Sequence, residues 1–266
     1  MGWFERFTAR SGADGADTSV AARMAAAYEA AGRGDYASAL EGWGPLAHAG
    51  IARAQNNIAA CFAEGLGVER DMKLAVRWLT LSAEAGDPVG MRNLAALHFS
   101  GDGVDQNYER AAELYRKAAE SGDGPAQDML SWMLLEGEVM DPDPAESRRW
   151  AEKAATQGVA SSMTRLGLIF HNAIGVERDP HVAAEWWAKA AERGDADGQA
   201  MLGAAFHLGA GVPRDAVAAF ALLLRARKGG STLANPFFEA VRGTLAPHEI
   251  AEAEARASKP LAGASS

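Results

Sequence analysis

Five aspartate or asparagine residues recur along this chain at a constant spacing, and carboxylates are among the side chains that enzymes use as general acids and bases. Each lies 36 residues after the one before it: Asp71, Asn107, Asp143, Asp179 and Asp215. Pro144 and Pro180 directly follow two of them. Asp or Asn before a helical pattern is typical of an N-cap, and proline is tolerated in the first helical position. We therefore interpret the five as helix caps that accept a backbone N–H, and not as catalytic acids.

Other reactive side chains are sparse. Cys61 is the only cysteine and falls in an apolar helical pattern, which predicts a buried thiol and excludes an intrachain disulfide. His171 and His207 occupy the same position of successive repeats, but the sequence offers no obvious third ligand, so we predict no metal site. The sequence lacks Ser-x-x-Lys, Gly-x-Ser-x-Gly, His-Glu-x-x-His and Walker motifs. It therefore predicts a protein that is not an enzyme and binds no cofactor.

The elements that carry these residues repeat with the same period. Six glycines lie 36 residues apart: Gly50, Gly86, Gly122, Gly158, Gly194 and Gly230. A period of this length is typical of a solenoid, in which one helical hairpin is stacked on the next. The repeat region divides into five units, which are 51–86, 87–122, 123–158, 159–194 and 195–230. We expect such an array to present a surface for another molecule, and not a pocket for chemistry.

Each unit contains the pattern of two helices. A large aliphatic residue stands at the eighth position of every unit: Ile58, Leu94, Leu130, Leu166 and Leu202. Small residues at positions 4 and 9 and a generally large residue at position 12 complete one face of a helix, helix A. Helix B begins after the Asp or Asn cap and ends before the periodic glycine. Its core face has small residues at positions 25 and 32 and a large apolar residue at position 28, including Trp78, Trp150 and Trp186.

The loops between helices A and B follow a Gly-x-Gly-Val pattern with two exceptions. Ala173 replaces the first glycine in one unit, and Val139 replaces the second glycine in another. Glycine adopts the left-handed conformation at a helix end without a Cβ penalty, whereas valine is poorly suited to a positive φ. We therefore predict a locally altered loop at 137–140.

This repeat pattern closely resembles the Sel1-like repeat family, which is related to the tetratricopeptide repeats. The best matches are 201–206 with 209–212, and 187–194, whose Lys-Ala-Ala ending recurs at Lys117 and Lys153. The resemblance covers 51–230 and implies an all-α fold, a right-handed α/α superhelical solenoid of Sel1-like or tetratricopeptide-like helical hairpins. It also implies a role as an adaptor or scaffold in protein complexes. The family has no shared catalytic motif, so the resemblance assigns no catalytic residue.

The ends of the chain depart from the repeat. The predicted segments outside 51–230 are a flexible amino-terminal segment at 1–17, a tetratricopeptide-like first hairpin at 18–50, capping helices at 231–257 and a disordered tail at 258–266. Trp3, Phe4 and Phe7 form a small apolar cluster in the first of these segments. We expect this cluster to dock on the array, with a membrane or a partner as the alternative targets.

A set of residues on helix A is not needed for the predicted core. In such superhelices helix A generally lines the concave face, and its positions 6, 10 and 13 point away from the core. The apolar residues of this face are Phe99, Trp132, Leu135 and Leu168, with His171 in the same column. Contiguous apolar residues mark binding surfaces, and Trp is the commonest hot-spot residue.

Three polar residues lie beside this apolar set, and they could contact a peptide backbone: Asn57, Arg92 and Asn93. We predict a partner-binding groove for an extended or helical peptide across 87–194. The alternative is that tight superhelical curvature buries the apolar side chains between neighbouring A helices.

The composition narrows the classes of partner. The formal charge is −9 and the pI about 5.2, so the chain lacks the basic surface of a nucleic-acid binder and is disfavoured on anionic membranes. No apolar stretch approaches the ~18 residues that span a bilayer. These features predict a cytoplasmic protein, a monomer or weak dimer, that binds a protein or peptide.

The sequence thus favours a non-enzymatic adaptor or scaffold. The alternatives are an inhibitor or regulator of a single partner and, without support from any motif, a hydrolase that acts on cell-wall-type compounds.

Overall fold

The structure, a computed structural model, describes residues 19–259 of the chain. Within this range all regular secondary structure is α-helical, which confirms the all-α prediction. The helices are α1 (Val20–Gly32), α2 (Tyr36–His48), α3 (Ala52–Glu64), α4 (Met72–Glu84), α5 (Pro88–Ser100), α6 (Tyr108–Glu120), α7 (Gly124–Glu136), α8 (Pro144–Thr156), α9 (Ala160–His171), α10 (Pro180–Glu192), α11 (Ala196–Leu208), α12 (Ala216–Lys228), α13 (Asn235–Arg242) and α14 (Pro247–Ser258). The expectations for residues 1–17, including Trp3, Phe4 and Phe7, and for 260–266 lie outside the described residues.

The helices pair in consecutive hairpins, and each hairpin consists of one A helix and one B helix. The five predicted caps start the B helices of the repeats. In each, the side-chain oxygen accepts a backbone N–H of the first helical turn, at distances from 2.8 to 3.0 Å for the third residue after the cap. These side-chain oxygens are therefore engaged in capping, which confirms the prediction for Asp71, Asn107, Asp143, Asp179 and Asp215.

Most of the predicted core positions of both helices are buried, but at position 12 of helix A His98, Phe170 and Phe206 are only half-buried. The large aliphatic residues at position 8 of helix A are 8% exposed or less. The small residues at positions 25 and 32 of helix B, such as Ala75 and Ser82, are 0% exposed. Because these side chains are short, helices A and B approach each other closely along the whole hairpin.

Two of the residues predicted for the core at position 28 of helix B, Trp186 and Leu222, are only partly buried and pack against the edge of the core clusters. Trp78 and Trp150 are buried, but Trp186 is only half-buried, and its neighbour Trp187 is 1% exposed in its place. The indole of Trp187 lies against Gly167, where an added Cβ would stand 2.2 Å from Nε1, and that nitrogen donates to the Thr164 carbonyl at 3.2 Å. The absence of a side chain at Gly167 makes room for the larger ring.

The periodic glycines are left-handed joints at the ends of the B helices, as predicted. Their φ angles lie between 82° and 91°. The loops between A and B also contain left-handed glycines, and Ala173 is the one non-glycine residue with positive φ between residues 19 and 259, at 58°. Val139 therefore does not adopt the conformation of the second glycine that it replaces. This result confirms the predicted local change at 137–140.

The chain divides into two compact units, with the boundary between Ala126 and Gln127. In the amino-terminal unit, the A helices α3 and α5 contact each other, and in the carboxyl-terminal unit α9 and α11 do the same. Successive B helices within a unit contact each other less extensively. The A helices therefore line the inner side of each unit.

The carboxyl-terminal end is closed by α13 and α14. Both pack on α12, where Val241 and Ala253 are 0% exposed. The Arg225 guanidinium donates to the carbonyls of Arg256 and Lys259, at 2.8 and 2.7 Å, and so ties down the end of α14. This helix extends to Ser258, one residue beyond the predicted capping segment.

Candidate functional site

The amino-terminal unit presents three neighbouring asparagines on its A helices. The Asn93 amide of α5 donates to the Asn56 side-chain oxygen of α3 at 2.8 Å, and the Asn56 amide lies 3.4 Å from the Asn57 side-chain oxygen. The Asn57 side-chain nitrogen is buried and has no hydrogen-bond partner among residues 19–259. Buried polar groups are nearly always hydrogen-bonded, so this nitrogen is a donor in need of an acceptor.

Arg92 is held in place by an ion pair. Its guanidinium donates to both carboxylate oxygens of Asp123, at 3.3 and 3.2 Å, and Asp123 also accepts the backbone N–H of Ala126 at 2.8 Å. The preceding hairpins repeat the arrangement, because Arg53 pairs with Asp87 at 2.6 Å. The hydrogen bond to Asp87 raises the pKa of Arg53 above its ordinary value. Both arginines are fixed charges beside the inner side of the unit.

Phe99 is half-buried near the carboxyl end of α5. Its ring meets that of Tyr108, the first residue of α6, edge to face at a centroid distance of 5.1 Å. Tyr108 is 44% exposed and is among the most exposed large apolar residues of the described chain. The more accessible aromatic surface at this place is thus that of Tyr108, which the sequence did not single out.

The carboxyl-terminal unit contains the rest of the predicted column. Trp132 and Leu135 of α7 and Leu168 of α9 are half-buried, with Leu168 packed against the cluster around Trp187. They are neither fully exposed, as a free groove would require, nor fully buried, as the alternative of tight curvature would require. The column is a partly accessible apolar strip on the inner side of this unit.

His171 belongs to the same strip. Its ring lies 5.4 Å from that of Trp187, and its Nδ1 atom is buried without a hydrogen-bond partner. Burial, followed by the charge of Arg178, lowers the pKa of His171 below its ordinary value. The imidazole is therefore neutral at pH 7 and acts as a flat apolar neighbour of the tryptophan.

A polar cluster in the carboxyl-terminal unit was not predicted. The Asp128 carboxylate accepts from Arg165 and from the hydroxyls of Ser161 and Ser162. Arg165 also donates to the Asp128 carbonyl at 3.1 Å. The only sequence signal for this cluster was Asp128 at position 6, on the face turned away from the core. Its partners lie 33 to 37 residues further along the chain, one repeat away.

The residues that could suggest catalysis have other roles in this structure. Cys61 is 2% exposed, and burial raises the pKa of its thiol to about 11, which confirms the predicted buried thiol. Over residues 19–259, no group of three or more His, Cys, Asp or Glu side chains could hold a metal ion. In the same range, none of the helices combines the length and the apolar character needed to cross a bilayer.

The family model of the Sel1 repeat matches five successive segments, 52–87, 88–123, 124–159, 160–195 and 196–231. The chain belongs to the Sel1 repeat family. These segments coincide with the predicted units to within one residue. The predicted Sel1-like and tetratricopeptide-like hairpin fold is thereby confirmed.

Two solved structures are similar to this Sel1 repeat protein along most of its length. The Sel1 repeat protein from Oxalobacter formigenes is 26% identical, with a TM-score of 0.79 over 90% of this chain and 98% of that one. A protective antigen of uropathogenic Escherichia coli with the SLR fold is also 26% identical, with a TM-score of 0.75 over 95% of this chain and 55% of that one. No curated protein is significantly similar to the chain.

Proposed function

We propose that this Sel1 repeat protein is a non-enzymatic, cytoplasmic adaptor that binds a protein or peptide on the inner side of its A helices. Membership of the family supports the general role, because Sel1 repeats generally bind proteins and are usually non-catalytic. The observation that carries the specific proposal is the unpartnered Asn57 amide beside the Asn56–Asn93 hydrogen bond. Because this nitrogen has almost no accessible surface, a main-chain carbonyl of a bound segment reaches it only when a neighbouring side chain moves on binding.

The charges around the asparagines favour an extended segment with both polar groups and a negative charge. Arg92 is about a quarter exposed while its partner Asp123 is almost fully buried, so the accessible part of the pair is the cationic one. Hydrogen bonds to a charged group contribute about 1.5–3 kcal/mol, more than those between neutral groups. A carboxylate near the peptide carbonyl would therefore strengthen binding to the amino-terminal unit.

The carboxyl-terminal unit would contribute apolar contacts. Trp132, Leu135 and Leu168 each retain part of their surface, and His171 stays neutral beside them. Removal of apolar area from water is worth roughly 25 cal/mol per Å². We therefore propose that apolar side chains of the partner cover this strip.

Affinity capture with three variants of the full chain tests the proposal. Asn57→Ala removes the free donor, and Trp132→Ala truncates the largest side chain of the strip. Leu81→Ala is the matched control, because Leu81 is 44% exposed on the B helix α4, away from the inner side. Circular dichroism melts of all three verify that they fold.

The two inner-side variants should capture less of the partner that the wild-type chain captures from a lysate of the source cells, while Leu81→Ala captures the wild-type amount. With the purified partner, we expect Trp132→Ala to weaken binding about thirtyfold and Asn57→Ala about fivefold, typical of a hot-spot aromatic and of one hydrogen bond. Equal affinities of folded wild type and both variants would refute the proposed surface.

The proteins captured by the wild-type chain also distinguish an adaptor from an inhibitor of one partner. An adaptor holds two partners at once, so that a ternary complex elutes from a size-exclusion column. If the second captured protein always displaces the first, the inhibitor alternative applies. Fractionation of the source cells tests the cytoplasmic location.

A further inference from the structure

The first hairpin carries an open cleft of about 400 Å³ between α1 and α2. Its floor consists of small side chains, with Ala22, Ala26 and Ala30 from α1 and Ser38 and Gly42 from α2. The charged residues Arg23, Arg33 and Asp35 also line the cleft. This volume lies within the ~300–1,000 Å³ that is usual for sites that bury apolar ligands.

In the interior hairpins, the surface of helix A that corresponds to this cleft is buried. Ala54 and Ile58, which occupy in α3 the positions that Ala22 and Ala26 occupy in α1, are 0% exposed. On α1, by contrast, Ala22 and Ala26 are exposed, as are Val20 at 48% and Tyr28 at 45%. No helix within residues 19–259 precedes α1 to cover this surface.

The last helices of the described chain, by contrast, cover the repeat that precedes them. There α14 covers α12 and turns charged residues outward, among them Glu252, Glu254 and Arg256. Repeat arrays need end units with a polar outer face, because an uncovered repeat leaves its apolar face in water. The alanine-rich surface of α1 does not meet this requirement by itself.

The residues directly before α1 have the composition that the cleft needs. Residues 1–18 include Trp3, Phe4 and Phe7, and aromatic side chains bury roughly 150–250 Å² each. The floor of alanines, glycine and serine leaves room for flat rings to lie close to the two helices. Glu5, between the aromatics, has a charge opposite to that of Arg23 and Arg33, which with Asp35 are the charged residues that line the cleft.

The segment between Phe7 and α1 is long enough for the aromatic residues to reach the cleft. Twelve residues, 8–19, separate Phe7 from the start of α1, and an extended chain spans at most ~3.3–3.6 Å per residue, or roughly 40 Å. The 13 residues of α1 are about 20 Å long. The aromatic side chains can therefore reach every point of the cleft.

We propose that Trp3, Phe4 and Phe7 dock in the α1–α2 cleft of the same molecule and close the amino-terminal end of the array. The segment provides the cover that an earlier hairpin provides to each interior repeat. This inference is independent of the partner surface on the inner side of the A helices.

Hydrogen exchange of the full-length chain, followed by mass spectrometry of peptides from α1, tests the proposal. The variant Trp3→Ser/Phe4→Ser/Phe7→Ser removes the aromatic rings. Ala26→Arg fills the cleft from its floor, at an exposed position where Arg is almost as good a helix former as Ala. Ala25→Arg is the matched control, since Ala25 is exposed on the same helix but does not line the cleft.

We expect α1 amides to exchange about tenfold faster in the triple variant and in Ala26→Arg, and at the wild-type rate in Ala25→Arg. Peptides from α9 to α12 should exchange alike in all four proteins. The proposal is overturned if the triple variant leaves α1 exchange unchanged, or if the triple variant accelerates it and Ala26→Arg does not. It is also overturned if light scattering shows a wild-type dimer that the triple variant converts to a monomer, because a second copy then occupies the cleft.

Discussion

The loops between helices A and B are either regular, with two glycines, or irregular, with one of the two replaced. A comparison of the two kinds shows that the first and the second glycine have different roles. In the regular loops both glycines are left-handed, and the second packs on the first residue of the B helix in the preceding hairpin. An added Cβ would stand 2.9 Å from Tyr36 at Gly67 and 2.0 Å from the Pro180 carbonyl at Gly211. At the first glycine, the atom nearest to an added Cβ belongs to a side chain of the same loop, at 3.5 Å for Gly65, 3.2 Å for Gly101 and 3.0 Å for Gly209.

The irregular loops confirm this division. Ala173 replaces a first glycine and still adopts a left-handed φ of 58°, so this position requires a conformation but little space. Val139 replaces a second glycine and does not adopt a positive φ. A side chain is thus accommodated at the first position with a left-handed φ, whereas the loop that has valine at the second position lacks the left-handed conformation there.

The largest expected effect is that of Gly211→Ala. The new Cβ meets the Pro180 backbone, and an alanine at a φ of 76° is strained as well. Left-handed strain of about 1–2 kcal/mol and overpacking of about 1–3 kcal/mol together predict a loss of roughly 2–5 kcal/mol in the free energy of unfolding. Denaturant titration measures it.

Gly50→Ala is the control for that experiment. Gly50 also has a positive φ, of 86°, but no atom lies within 4 Å of an added Cβ, so only the strain of about 1–2 kcal/mol should remain. If both variants lose the same amount, close approach does not distinguish the second glycine.

A smaller effect of opposite sign is expected for Ala173→Gly. Glycine relieves about 1–2 kcal/mol of left-handed strain and costs about 0.4–1 kcal/mol through the freedom of the unfolded chain. The net result should be a gain in stability of about 0.5–1 kcal/mol, visible as a higher denaturation midpoint. The reverse change at the equivalent position, Gly65→Ala, should lower the midpoint by a similar amount. A lower midpoint for Ala173→Gly would contradict the strain assigned to Ala173.

The smallest effect is expected for Val139→Gly. Glycine at this position relieves no left-handed strain, because Val139 does not have a positive φ. The variant should lose about 0.5–1 kcal/mol of stability through unfolded-state entropy alone. A gain in stability, measured in the same titration, would show that the loop is strained toward the regular form.

The parts of the structure that depend on neighbours within a few residues were predictable from the sequence. The N-caps accept from a residue two or three positions away, and the glycine joints bond within one helical turn, so the residue type alone indicates the geometry. The period then extended each local assignment to five units, and the aliphatic column from Ile58 to Leu202 followed from helical spacing.

The candidate site was predictable only in part. Its residues were selected because the core did not need them, but their exposure depends on how closely the next A helix packs. Trp132, Leu135 and Leu168 are half-buried for this reason, and the choice between Trp186 and Trp187 for the core depends on Gly167 in another helix. The bond of Asn93 to Asn56 spans 37 residues and has no signature in the local sequence.

The sequence by itself determined the family, the helices, their caps and joints, and the residues of the core columns, since a 36-residue period repeats local physical signals that each act within one or two helical turns. Only the tertiary structure decided which inner-side groups are left without a partner, such as the Asn57 amide, and which surface of the first hairpin is left uncovered. Those outcomes depend on distances between side chains of different helices. Such distances are set by the packing of whole hairpins, which no single repeat encodes.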